Sequence, residues 1–247
     1  MREASPSTDP TLAARRDLAA ALRLAARFGL HEGICNHFSL VVPGTTDRFL
    51  INPLGLHWSE IRASDLSVVD QAGSVIEGPV VEPTAFYIHW RVHRAHDHAC
   101  VLHTHMPYAT ALTLLDEGRL EPVSQTALKF HGRIAYDDDY RGLALDAAEG
   151  DRMAACMGDK PVLFLANHGV IVAGRTVAEA FDDLYYLERA AQGQVLAASQ
   201  GRPLRRVRQD VIELTGAQMA AEREQAAALH FAALKRILDR EAPDYAD

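Results

Sequence analysis

Cys100-Val101-Leu102-His103-Thr104-His105 runs directly into Met106-Pro107-Tyr108. An apolar run thus ends in two histidines spaced i, i+2. Alternate residues of a β-strand point to the same face, so both imidazoles project together from one strand end, as two ligands of one metal ion must. A second apolar run, Val162-Leu163-Phe164-Leu165, leads through Ala166 into Asn167-His168-Gly169. If that strand lies beside the first, His168 completes a three-histidine set. Three neutral imidazoles with an open position suit a catalytic divalent ion, zinc most readily, with iron, manganese or cobalt as the other options. The competing reading makes all three ordinary polar residues at strand ends. A lone HxH leaves the two readings level; the second strand ending in NHG tips the balance towards metal.

Outward from this stretch, Thr84 is placed to cap a helix running to about His96, in which Phe86, Ile88, His89, Val92 and His93 mix faces, so that it packs on two sides. Pro107 opens a helix to about Glu117, a short strand is expected at Arg133 to Tyr136, and Leu145 to Met157 reads as a helix. Beyond His168, Val170 to Ala173 returns as a strand. Thr176-Val177-Ala178-Glu179 has the form of a capping box and starts a helix to about Ser199. A last helix runs from about Asp210 to Leu238. Its Met219, Leu229, Phe231, Leu234 and Ile237 are too many for a fully solvated helix, and they are expected to reach a neighbouring subunit. Towards the N-terminus, Asp9-Pro10 reads as an N-cap with Pro at the first helical position, and Gly29 stops that helix. Phe38 to Val42 and Arg48 to Asn52 form strands around a turn-rich Pro43-Gly44-Thr45-Thr46-Asp47, and Leu66 to Asp70 with Ser74 to Glu77 form another hairpin. Hairpins interleaved with helices predict an antiparallel or mixed sheet covered by helices, not a doubly wound parallel sheet. No break in composition divides the chain, so residues 1–247 are expected to form one domain, with 1–9 a flexible tail.

The 247 residues carry 48% hydrophobic and 23% charged side chains and a formal net charge of −8, ordinary values for a globular domain with a sizeable core. Nucleic acid is an unfavourable partner for such a chain, because phosphate binding needs clustered positive charge. The one basic cluster, Arg202, Arg205, Arg206 and Arg208, reads as a solvated loop between helices. No run approaches the roughly 18 apolar residues of a membrane span, so no membrane association is expected. Cys35, Cys100 and Cys156 are odd in number and form no CxxC, which points to a reduced, cytoplasmic setting. Neither GxGxxG nor GxxxxGK[ST] occurs, so nucleotide-cradling loops are not expected.

The order and spacing of five markers resemble the class II aldolase/adducin family: Asn36-His37-Phe38-Ser39, Ile51-Asn52-Pro53-Leu54-Gly55, His103-Thr104-His105, Asn167-His168-Gly169, and the helix from Glu179-Ala180-Phe181 to Glu188. The resemblance spans about Ala13 to Leu238. It implies a three-layer α/β/α domain, often a four-fold tetramer with metal sites at subunit interfaces. Enzyme members include sugar-phosphate aldolases, an epimerase, a dehydratase and decarboxylases; the adducin branch has lost the metal histidines. This chain keeps all three, which favours an enzyme.

Departures from the aldolase pattern shape the substrate expectation. Those aldolases carry a Ser-Ser-Glu segment whose glutamate is the acid/base, and Glu82-Pro83-Thr84 occupies it here. Thr84 stands at the glutamate's position and cannot be a carboxylate base; Glu82 either reaches the site or is a solvated loop carboxylate. His37, Leu54-Gly55 and Glu82-Pro83 stand where the family holds phosphate. Leu54 lacks donors and Glu82 repels an anion, so a sugar phosphate is not the expected substrate.

His37 reads either as a donor to a substrate carboxylate or as a buried core histidine. His89 and His93, one turn apart, share a helix face and read as supporting rather than ligating residues. Gln125, Lys129 and His131 lie where relatives bring residues from a neighbouring subunit. Tyr136 and Tyr140 flank Asp137-Asp138-Asp139; a tyrosine there suits a general acid, while the three acids read as solvated. The candidate set is therefore His103, His105 and His168 for one divalent metal, Glu82 and Tyr140 for proton transfer, and Asn36, His37, Gly55, Thr84 and Gln125 for substrate. The expected activity is a metal-dependent carbon–carbon lyase, decarboxylase or aldolase, working through a metal-stabilised enolate on a small hydroxy, oxo or aromatic acid. An iron-dependent oxygenase at the same histidines and an adducin-like interaction domain are the alternatives.

Overall fold

Strand residues alternate between two apolar cores. Cys100, Leu102, Phe38, Leu40, Val170 and Val172 join one buried cluster, while their neighbours Val101, Ile171 and Ala173 join a second. A sheet patterned this way is buried on both faces, so helices must cover each side. The computed structural model describes residues 9–96 and 98–247; of the tail expected at residues 1–9, all but Asp9 lies outside the described residues.

The elements are α1 (Pro10–Phe28), β1 (His37–Val41), β2 (Arg48–Ile51), β3 (Ser67–Asp70), β4 (Val75–Glu77), α2 (Pro83–Ala95), β5 (Cys100–Thr104), α3 (Pro107–Thr113), α4 (Gln125–Leu128), β6 (Ile134–Asp137), α5 (Ala147–Met157), β7 (Val162–Leu165), β8 (Gly169–Gly174), α6 (Val177–Ala198) and α7 (Gln209–Glu241). One mixed sheet of eight strands has the order β4-β3-β2-β1-β5-β8-β7-β6. All neighbours are antiparallel except β6 and β7, which α5 connects in parallel. Helices α1, α3 and α6 pack on one face, with α7 outside α6, and α2 and α5 pack on the other. This is the three-layer α/β/α arrangement expected. No helix among the described residues is long and apolar enough to cross a membrane.

Local chemistry sets most element ends. Asp9 accepts the Thr11 N–H at 2.9 Å to cap α1, and Gly29 closes it in the left-handed region at φ 66°. Thr176 accepts the Glu179 N–H at the start of α6. Two expectations need correction, and one element had no expectation. Thr84 does not cap α2: Pro83 takes the first helical position, Glu82 is the cap residue, and the Thr84 hydroxyl donates to Glu82 Oε1 at 2.7 Å. Helix α3 stops at Thr113 because Glu117 adopts φ 53° and the Gly118 N–H turns back to the Leu115 carbonyl. A four-residue helix, α4, forms where Ser124 accepts the Ala127 N–H.

Helix α7 also differs in its partners. Much of the apolar surface expected to meet a neighbouring subunit is used within the chain. Phe231, Leu234 and Leu238 are buried in its own core, with the Phe231 ring 5.8 Å from that of Phe181. Leu214 and Leu229 are the large apolar residues that α7 leaves exposed among the described residues.

Candidate metal centre

The three histidines of the two motifs converge, by a route that differs from the one expected. The strand leading to His168, β7, is not the neighbour of β5. β8 returns between them, pairing Thr104 with Val170 and Leu165 with Gly169. The tight turn at Asn167, in the left-handed region at φ 56°, carries His168 to the end of β5. Gly169 has a specific reason to be glycine: a Cβ there would lie 2.7 Å from both His105 Cδ2 and the Thr104 carbonyl oxygen. The close approach of β8 to the HxH stretch requires the missing side chain.

The imidazole centroids of His103, His105 and His168 stand 5.1, 4.8 and 4.8 Å apart, and one ring nitrogen from each falls within 4.8 Å of the others. Two tautomers are dictated by partners. His103 Nδ1 donates to the Val170 carbonyl at 3.0 Å, so its Nε2 carries the lone pair. His105 Nδ1 lies 2.6 Å from Glu32 Oε2, and His105 Nε2 is buried with no hydrogen-bond partner among the described residues. A buried, unsatisfied ring nitrogen is costly in a folded protein unless something occupies it. Burial holds His103 well below the ordinary histidine range and brings His168 down to about 4, helped by charge repulsion among the cluster. Three imidazole nitrogens converging in this way fit a divalent cation, which binds the neutral form of the ring. A carboxylate behind a ligating imidazole, as Glu32 stands behind His105, is the common way of fixing ligand orientation.

The other candidates sort by position. Asn36, 4% exposed at φ 77°, accepts the Glu32 and His105 N–H groups at its Oδ1, which leaves Nδ2 buried and unpartnered beside the cluster. His37 lies across from His103 in the β1–β5 register, their rings 4.9 Å apart. Tyr140 is half exposed with its ring 6.3 Å from His168, and its hydroxyl makes no hydrogen bond among the described residues. Tyr136 is different: its ring packs on Phe164 and its hydroxyl accepts the Leu120 N–H. Gly55, at φ 91°, makes the turn beside the exposed Leu54. Glu82 and Thr84 bond to each other at the start of α2. Within its own chain Gln125 is not with the histidines. With Lys129, Asp182, Tyr186 and His230 it lines a cavity of about 290 Å³ between α4, α6 and α7. His131 is exposed.

Several contributors were not anticipated. Glu32 lies 73 residues from His105; nothing in local spacing announces it. Glu188 accepts the Tyr108 and Ala109 N–H groups, each at 2.8 Å, and so caps α3 just past His105. It was visible as a marker of the family but without a role. Of the acids after Tyr136, Asp138 and Asp139 are exposed as expected, and Asp137 is not. Asp137 is buried and paired at both oxygens with Arg152, Asp138 pairs with Arg119, and Asp139 with Arg141.

Similarity to known proteins runs the length of this fold. The family model of the class II aldolase and adducin N-terminal domain matches residues 16–195. A Caulobacter vibrioides protein assigned provisionally to the class 2 aldolases is 39% identical over 95% of this chain and 92% of its own length. A crystal structure of an aldolase II superfamily protein from Pseudomonas syringae superposes with a TM-score of 0.91 at 39% identity, covering 99% of this chain and 98% of that one. The decarboxylase NovR of Streptomyces niveus is 32% identical over 82% of this chain and 76% of its own. The chain belongs to the class II aldolase and adducin family.

Proposed function

We propose that the protein is a metal-dependent carbon–carbon lyase, of decarboxylase or aldolase type, acting on a small hydroxy, oxo or aromatic acid. The observation that carries this reading is the buried, unpartnered Nε2 of His105 beside His103 and His168. His103, His105 and His168 would hold one divalent ion, zinc by preference, and Glu32 orients His105. When bound, the ion supplies the positive charge that stabilises an enolate oxygen next to the bond being broken. Asn36 offers its free amide N–H₂ to a substrate oxygen, and Tyr140 offers a hydroxyl proton from the rim beside His168. Leu54 and the Glu82 carboxylate disfavour a phosphate group near Gly55, which supports a non-phosphorylated substrate. Thr84 is already bonded to Glu82 and has no carboxylate, which favours decarboxylation, where no base need deprotonate a hydroxyl. Kinship with a protein named a decarboxylase supports the same preference. The described residues share one continuous sheet, which supports a single domain, and the three unpaired cysteines accord with a reduced cytoplasmic setting.

The test pairs metal analysis with assays of the metal-loaded protein against hydroxy, oxo and aromatic acids, with and without oxygen. His103→Ala, His105→Ala and His168→Ala should each lose most of the metal and all turnover while remaining folded. Unchanged metal stoichiometry in all three rules the site out. Glu82→Ala should keep its metal and most of its turnover. Should it instead lose turnover at full metal content, Glu82 is a displaced base and aldol cleavage is the activity. Turnover that requires oxygen makes the protein an oxygenase, and a metal-free native protein makes it an adducin-like binding module.

A further inference from the structure

A line of polar side chains leaves the histidine cluster on the α2 side of the sheet and serves no purpose in the scheme above. His37 Nδ1 lies 2.7 Å from His89 Nε2; His89 Nδ1 lies 2.5 Å from Ser39 Oγ; Ser39 Oγ lies 2.8 Å from His93 Nε2; and His93 Nδ1 lies 2.8 Å from the His98 carbonyl oxygen. His37, Ser39 and His89 are 4%, 0% and 0% exposed, and His93 is half-buried. Each ring nitrogen of His89 and of His93 is therefore committed to one partner.

The direction of every bond in this line follows from its far end. A carbonyl oxygen can only accept, so His93 Nδ1 carries the hydrogen. Desolvation brings His93 down to about 4 and holds His89 well below the ordinary histidine range, so both rings are neutral near pH 7. With its one proton spent on the carbonyl, His93 accepts at Nε2. Ser39 has one hydroxyl proton and donates it to His93, so Ser39 Oγ accepts from His89 Nδ1. His89 Nε2 then accepts from His37 Nδ1. His37 is 4% exposed and pairs with no carboxylate among the described residues, so its ring carries a single hydrogen, the one on Nδ1, and what is left at the near end is a bare lone pair on His37 Nε2. That atom sits on nearly the opposite edge of the ring from Nδ1. It therefore faces away from α2, towards the side where His103, His105 and His168 gather. It makes no hydrogen bond among the described residues. The line does not conduct protons, because its outer terminus is a backbone carbonyl that cannot take one.

We propose that Ser39, His89 and His93 lock His37 as a hydrogen-bond acceptor, so that the three-histidine pocket selects a substrate bearing a hydroxyl that donates to His37 Nε2. This reverses the donor role, one of the two readings His37 had from sequence, and it narrows the substrate class to hydroxy acids. The hydroxyl assignment rests on the three histidines being a metal site for acids; the tautomer does not. Ser39, His89 and His93 are positioning residues, acting on the ligand through His37.

Neutron diffraction from perdeuterated, zinc-loaded crystals at pH 7.5 reads the tautomers directly. Deuterium is expected on His37 Nδ1, His89 Nδ1 and His93 Nδ1, and none on His37 Nε2. Deuterium on His37 Nε2, or His37 Nε2 bound to the zinc, overturns the proposal. Calorimetry with glycolate and with methoxyacetate, which lacks the hydroxyl proton, tests the selection. The preference for glycolate should be about tenfold greater in the zinc-loaded wild type than in His37→Phe, the value of one well-made hydrogen bond. That comparison removes the two acids' own difference in affinity for zinc. Ser39→Ala should lose most of the preference while keeping its zinc, since His37 is then free to take either tautomer. An equal preference in wild type and His37→Phe overturns the hydroxyl assignment. If neither acid binds the wild type, the metal-site reading falls and takes the hydroxyl assignment with it, whatever the deuterium positions show.

Discussion

At the scale of single residues, the site depends on contacts that fix side-chain orientation rather than on the histidines alone. Glu32 holds His105 Nδ1 at 2.6 Å, which directs the buried Nε2 inward. Removing such a carboxylate behind a ligand typically costs about 10–100-fold in metal affinity. Glu32→Ala should therefore weaken zinc binding by about tenfold or more, measured by competition with a chelator, with little change in thermal stability of the metal-free protein. Equal zinc affinity would remove Glu32 from the site. How much of this was legible follows from distance along the chain. The HxH and NHG pair declared itself because each motif is local and sits at a strand end. Glu32 did not, because His105 lies 73 residues away, and Ser39 was legible only as a motif letter, because its partner His89 lies 50 residues away. Asn36 and Gly169 were legible as motif letters. Their reasons, a left-handed backbone and a 2.7 Å approach to His105, are three-dimensional.

At the scale of elements, the strands and long helices were readable because period-2 and period-3.6 patterns persist over many residues. Helix α4 has four residues, too few for any period, and the end of α3 is set by turn geometry after it. Helix α3 also lacks a side-chain cap of its own. Glu188 on α6 supplies it, and Glu188→Ala would leave the Tyr108 and Ala109 N–H groups without their acceptor. A cost of about 2–4 kcal/mol in urea unfolding is expected, since buried donors would be left unsatisfied; a cost below about 0.5 kcal/mol would refute the capping role. The α2–β1 contact makes stability depend on pH. His89 and His93 are packed as neutral rings, with folded values below the ordinary 6.5, and His93 near 4. Between those values the unfolded chain binds more protons than the folded one. The stabilisation is thus complete above about pH 6.5 and is lost as pH falls towards 4. His93 alone accounts for a loss on the order of 3 kcal/mol across that window. Unfolding midpoints of the metal-free protein should fall steeply from about pH 6.5 to about pH 4, and less steeply in His93→Gln. Parallel curves for the two would show that His93 is not held as a neutral ring.

At the scale of the whole molecule, the question is what covers the end of the sheet that bears the histidines. β6 and β7 run parallel and finish together, so the segment after β6 emerges at the same end as His168. That segment exposes Tyr140 at 51%, Leu143 at 70% and Leu145 at 62%. Leu114 and Leu115, following α3 and therefore following His105, are 59% and 60% exposed. Exposed large apolar side chains in the segments that leave the strand ends bearing the histidines suit a surface that a partner covers. Gln125, meanwhile, is held with Lys129 and His230 away from the chain's own histidines, where a neighbouring protomer could use it. We therefore expect a homo-oligomer, most simply a tetramer, in which a second copy packs on these leucines and completes the pocket. Burying each leucine is worth about 1.5–3 kcal/mol, and a charge in its place would cost more than that to desolvate. Leu143→Asp combined with Leu145→Asp should dissociate the assembly to the 27.1 kDa monomer. The zinc content should be retained, because all three candidate ligands come from one chain, while turnover should drop sharply as the pocket opens to water. Light scattering at micromolar concentration gives the masses. A wild-type protein that scatters as a monomer at full turnover would leave those leucines unexplained and the pocket complete in one chain.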